Sequence, residues 1–217
     1  TLNGMVVKTI FEDQNGWLWI GYFGKGLNAY NPQTGEIKSY STNNVPNKAL
    51  SGNNIWTIAE DKKGRLWLGT IGDGLTILDP ITETTSILFE TDDQTSISER
   101  NIMHIHIDQQ DRVWIGTASK GLNLWEEDSN KFIHFKHQEE DATSISNDEI
   151  RTIYQDQQER VWIGTEGGGL NLYLENGTFE HFTTKNGLLS NSIMGITEDK
   201  DGYLWITSFE GISRFDY

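Results

Sequence analysis

The chain has 217 residues and a formal charge of −15, with no cysteine, 22 glycines and eight tryptophans. It therefore has no disulfide, thiolate nucleophile or cysteine-based metal site, and so acidic a chain is not built to neutralise a phosphate backbone. Twenty-four aromatic residues argue against disorder, no apolar run approaches the roughly 18 residues of a membrane span, and the opening TLNGMVVKTIFED lacks the pattern of a signal peptide.

Five tryptophans, Trp19, Trp67, Trp114, Trp162 and Trp205, recur at spacings of 48, 47, 48 and 43 residues. The text around them is nearly the same: DQNGWLWIGYFGKGLNAY, DKKGRLWLGTIGDGLTIL, DQQDRVWIGTASKGLNLW, DQQERVWIGTEGGGLNLY and DKDGYLWITSFEGISRF. In each repeat an apolar run precedes the Asp (VVKTIF, NIWTIAE, NIMHIHI, EIRTIYQ, SIMGITE), and the Trp run follows it. A third run starts after Gly26, Gly74, Gly121, Gly169 or Gly211. A weaker fourth run reads EIKSY, TSILF, KFIHF and TFEHF. Short β-branched and aromatic runs between turn residues predict an antiparallel meander, and helical periodicity is absent.

The first turn of each repeat has the form Asp-x-x-Gly at Asp13, Asp61 and Asp199, where the carboxylate can accept from backbone N–H groups ahead of it. The fourth position calls for positive φ, although Asp111 and Glu159 stand there in the third and fourth repeats. Gly21, Gly69, Gly116 and Gly164, two residues after the anchor, suit close approach of a neighbouring sheet.

Four-strand repeats of this length predict an all-β fold, a β-propeller of four-stranded antiparallel blades. The blades fall at about 1–44, 45–92, 93–138, 139–185 and 186–217, one propeller region of four complete blades and a fifth lacking its outer strand. The expectation is a segment of a larger propeller; a closed five-blade ring with a defective last blade is the alternative.

The string D-x-x-G-x-L-W-I-G-T-x-x-x-G-L-N-x-Y resembles the two-component regulator propeller repeat, five times over. The resemblance implies the extracytoplasmic, periplasmic sensor part of a bacterial transmembrane regulator, with further blades and an output domain elsewhere in the parent chain. It implies no catalytic residue and no cofactor. The implied partner is a small-molecule ligand, since several relatives respond to oligosaccharides; a homodimer mate is a further expected partner, and no nucleic acid and no membrane contact are expected of this segment. A protein-interaction scaffold is the second reading, and a lyase or glycosidase propeller the third.

Candidate ligand residues follow from where repeats differ. Five residues before the repeat Asp the chain carries Lys8, Trp56, Met103, Arg151 and Met194. Lys8 and Arg151 near Trp56 would suit a carboxylated sugar, through charge-assisted hydrogen bonds and ring stacking. The turns after the Trp strands add Tyr22, Phe23, Lys25, Asp73, Lys120, Glu166 and Phe209, with Tyr22, Phe23 and Phe209 read as exposed turn aromatics. The plainer reading of all of these is a solvated rim or packing on a neighbouring loop. The loops entering the first strands are long and polar, as binding loops or plain connectors are. His104 and His106 share a strand face, but no metal-ligand motif accompanies them, and no metal site is expected. Asn176-Gly177-Thr178 reads as a hairpin turn.

Overall fold

A computed structural model describes residues 6–93 and 95–217. Among them the chain forms nineteen strands in five antiparallel sheets, four of four strands and the last of three. Helix is confined to two three-residue 3-10 turns, Pro46–Lys48 and Thr184–Asn186. The fold is an all-β propeller type, as the repeat predicts. The chain divides into two compact units, Thr1–Ile107 and Asp108–Tyr217.

The first unit holds β1 (Val7–Glu12), β2 (Leu18–Tyr22), β3 (Leu27–Tyr30) and β4 (Ile37–Tyr40), then β5 (Ile55–Glu60), β6 (Leu66–Thr70), β7 (Leu75–Asp79) and β8 (Thr84–Leu88), and finally β9 (Ile102–Ile107). Each set of four is a simple meander. Trp19, Leu27, Ala29 and Tyr40 of the first sheet pack on Ile55, Ile58, Leu66 and Leu68 of the second. The alternation of strand side chains puts one row of each sheet into this seam.

The second unit holds β10 (Val113–Thr117), β11 (Leu122–Glu126) and β12 (Lys131–Phe135), then β13 (Ile150–Gln155), β14 (Val161–Thr165), β15 (Gly169–Leu174) and β16 (Thr178–Phe182), and lastly β17 (Gly195–Glu198), β18 (Leu204–Ser208) and β19 (Gly211–Phe215). Trp114, Leu122 and Leu124 meet Ile150, Ile153 and Ile163, and Trp162, Leu170 and Phe182 meet Ile193, Leu204 and Ile206. The Asn176-Gly177-Thr178 turn joins β15 to β16, with Asn176 Oδ1 accepting from Thr178 N at 3.1 Å.

The close approach read from the glycines is real. A Cβ on Gly69 would lie 2.6 Å from Ile102 Cγ2, and one on Gly164 2.6 Å from Ile193 Cγ2. Ile55 and Ile150 sit in the same way against Gly21 and Gly116. Ile55, Ile102 and Ile150 open the next sheet and Ile193 lies just before β17, so the glycine is the socket and the isoleucine the knob of the sheet-to-sheet seam.

The turn prediction also holds. Asp111 and Glu159 take φ of 65° and 64°, matching 76° at Gly16 and 77° at Gly64. Every repeat Asp accepts from the backbone N–H two and four residues ahead; at Asp108 these bonds, from Gln110 and Arg112, are 3.0 and 2.9 Å. Sequence reading missed the other carboxylate oxygen. Asp Oδ2 accepts from the anchor indole six residues on, at 2.7, 3.0, 2.8, 2.7 and 2.7 Å from the first repeat to the fifth. The constant Asp-to-Trp spacing of six was the signal that could have revealed it.

Candidate functional site

Three of the five variable residues, Lys8, Trp56 and Arg151, share a backbone irregularity. Strand pairing runs Val7 to Tyr22 and then Thr9 to Gly21, skipping Lys8; it skips Trp56 and Arg151 in the same way. These three are therefore β-bulge residues, the extra residue of a strand with no partner opposite, a device that re-aims a side chain away from the regular pleat.

In the first unit the bulges converge. Lys8 Nζ lies 4.8 Å from the centroid of the Trp56 ring and 5.9 Å from that of Phe23. Phe23 is held there by its own N–H on Val6 O at 3.0 Å, and the next residue by Gly24 N on Asn54 Oδ1 at 2.8 Å. Phe23 is 55 % exposed and Trp56 half-buried. Among the described residues Lys8 makes no ion pair, so its ammonium faces solvent between two rings. A cation over aromatic faces, open to water, can meet a carboxylate while the rings stack on an apolar sugar face.

In the second unit the bulge is already engaged. Arg151 Nε donates to Glu166 Oε2 at 3.0 Å, and its Nη2 lies 3.7 Å from Glu149 Oε2. The two carboxylates balance the guanidinium that sequence reading set beside a tryptophan.

The remaining candidates fall apart from these clusters. Tyr22 is a correction: it is 1 % exposed, not an exposed turn aromatic. It is the last residue of β2, on the same face as Ile20, and the equivalent Thr70, Thr117 and Thr165 are buried too. Phe209 is 80 % exposed at the tip of its turn. Lys25 is exposed in the first unit's turn. Asp73 leans over Gly52, its backbone N–H on Thr70 Oγ1 at 3.1 Å. Lys120 uses its backbone N–H in the same way on Thr117 Oγ1, at 3.1 Å. Among the described residues no group of three or more His, Asp or Glu is placed to hold a metal. Burial, reinforced by the His106 charge, pushes the His104 imidazole down to about 4, which keeps it neutral.

Comparison with known proteins fits this geometry. The family model described as two component regulator propeller matches residues 1–24, 49–72, 144–167 and 187–210. The four matches fall on four of the five sheets. Each match covers a bulged or opening first strand, the anchored hairpin and the turn bearing the variable residues. Among solved structures, the extracellular domain of a protein assigned as a hybrid two component system of B. thetaiotaomicron aligns over 100 % of this chain and 28 % of its own, with 25 % identity and a TM-score of 0.82. The extracellular domain of a protein assigned as a one component system from the same organism aligns over 97 % of this chain and 36 % of its own, with 20 % identity and a TM-score of 0.63. Virginiamycin B lyase from Staphylococcus aureus aligns over 97 % and 70 %, with 16 % identity and a TM-score of 0.67, a likeness of fold alone. This propeller chain thus spans about a quarter to a third of the two extracellular domains. No curated protein matches it. No helix among the described residues is long and apolar enough to cross a membrane.

Proposed function

We propose that this chain is part of the extracytoplasmic, periplasmic ligand-sensing propeller of a bacterial transmembrane signalling protein, without catalytic activity of its own. The observation that carries the reading is the end-to-end similarity to the extracellular domain of a protein assigned as a hybrid two component system. Further blades of the parent chain and a homodimer mate are its partners, and ligand binding shifts their packing, a change of population between two arrangements. The ligand is an oligosaccharide bearing carboxylates, met by Lys8 and stacked by Trp56 and Phe23. This is supported by an ammonium lying over two rings with no acidic partner among the described residues.

Calorimetric titration with uronic-acid oligosaccharides and their neutral counterparts tests it. The expected result is binding of the acidic set alone, weakened about tenfold or more by Lys8→Ala, the loss of about one charge-assisted contact, or by Trp56→Ala, the loss of one stacking ring. No binding of any saccharide, or binding indifferent to both substitutions, overturns the ligand assignment. A scaffold role is the second reading, favoured by the exposure of Phe23 and Phe209. If partner capture from the native membrane fraction is lost in a Phe23→Ser, Phe209→Ser double variant while saccharides fail to bind, that reading replaces the first.

A further inference from the structure

The first repeat departs from its neighbours at one position of the anchored hairpin. Four residues after the Asp, the next three repeats carry Arg65, Arg112 and Arg160. Each donates Nε–H to the buried Asp Oδ2, at 2.7, 2.6 and 2.6 Å. Each guanidinium also lies over the anchor indole, 5.9, 5.3 and 5.4 Å from the ring centroid. The motif is a carboxylate edge plus an aromatic face, two surfaces that suit a planar, weakly hydrated cation.

In the first repeat this residue is Trp17. Among the described residues Asp13 Oδ2 then accepts from Trp19 Nε1 alone. A half-open cavity of about 140 Å³ lies at this place, lined by Asp13, Trp17, Trp19, Lys38, Tyr40 and Ile81. Tyr40 is 4 % exposed and its hydroxyl has no hydrogen-bond partner among the described residues, an unusual state for a buried phenol. Burial, with the nearby Glu83 and Glu36 charges, pushes that phenol up to about 12. Lys38 lies over the Trp17 ring at 5.4 Å, but its charge is met by Glu83 at 2.8 Å, which Lys48 shares at 3.0 Å. Asp13, Glu36 and Glu83 outnumber the two lysines around the cavity, so a cation is not repelled.

We propose that this cavity binds a guanidinium group from outside the chain, seated on Asp13 between Trp17, Trp19 and Tyr40 where three other blades seat their own arginine. Tyr40 is then a binding residue that offers its hydroxyl oxygen to a guanidinium N–H. The source is either a small guanidine or an arginine side chain of a peptide.

The test follows the indole N–H resonances of the intact chain by heteronuclear NMR. It titrates methylguanidinium, its uncharged isostere methylurea, and an amidated Gly-Arg-Gly peptide. Saturable shifts at Trp17 and Trp19 with methylguanidinium and not with methylurea are expected. Tighter binding of the peptide than of methylguanidinium identifies an arginine side chain as the source; equal binding identifies a small guanidine. Trp17→Arg supplies the guanidinium in cis and is expected to abolish the response. Tyr40→Phe keeps the ring and is expected to weaken affinity several-fold, the loss of one hydrogen bond to a charged donor. Absence of a saturable response, an equal response to methylurea, or binding unchanged in Tyr40→Phe overturns the proposal. Lys8→Ala leaves methylguanidinium binding intact, so failure here and failure of the saccharide site are read separately.

Discussion

Asp108 concentrates the energetics of a blade in one side chain. It is buried and accepts from two backbone N–H groups, the Trp114 indole and Arg112 Nε. Replacing it with Ala leaves four donors without their acceptor, and the guanidinium loses its buried counter-charge. The expected cost is about 3–5 kcal/mol, the usual range for breaking a buried pair from one side, read from urea unfolding. Glu159 is the opposite case, a non-glycine residue held at φ 64° in an exposed turn. Glu159→Gly is expected to stabilise the second unit by about 0.5–1 kcal/mol, since glycine adopts that conformation without a Cβ penalty. His104 sets a pH dependence. With its folded pKa down at about 4 it stays neutral in the native state, while the unfolded chain takes up a proton near the ordinary value of 6.5. Its contribution is therefore complete above about pH 6.5 and is lost as pH falls toward 4. The loss is about 2 kcal/mol between pH 7.5 and 5. His104→Asn should remove that part of the slope when urea midpoints are compared at the two pH values.

Elements meet through the glycine sockets, and this is where the repeat pattern was most legible. The Trp, Gly and Asp positions are set by local geometry, a hairpin and a close approach, and five copies of the text exposed them. What was not legible depends on neighbours. The bulge at Lys8, Trp56 and Arg151 comes from a skipped pairing between strands, which no single run of residues encodes. The ion pair of Arg151 needs Glu166 from a turn fifteen residues on. Burial of Tyr22 depends on which strand face its position ends on, and its turn text, rich in Gly and Lys, suggested exposure instead. Two substitutions probe the seams. Gly69→Val inserts atoms where Ile102 Cγ2 would lie 2.6 Å from a Cβ, and overpacking of this kind costs about 1–3 kcal/mol. Trp114→Ala should cost about 3–5 kcal/mol, whereas Trp205, with 38 % of its surface exposed, should cost clearly less on truncation.

The whole molecule sets 32 acidic residues against 17 basic ones. A charge of −15 on 217 residues favours solubility and opposes compactness through self-repulsion. The thermal midpoint should therefore rise as sodium chloride is raised from about 20 to 200 mM, where the screening length falls from roughly 20 to 7 Å. A midpoint indifferent to salt would mean that the acids are offset locally, as Asp108 is.

The local character of the Asp hairpin also bears on the order in which the chain acquires structure. Every donor to Asp108 lies within six residues of it, so the carboxylate can be satisfied as soon as β10 has been synthesised. Hairpins close in about 1–10 μs, far faster than contacts of long sequence separation. The seam isoleucines, by contrast, wait for the strand that follows a whole repeat later. Substitution at Asp108 should then slow refolding, while trimming Ile150 to Val should mainly hasten unfolding. Each blade of such a chain is thus expected to start its own nucleus, one finished turn at a time as the chain grows.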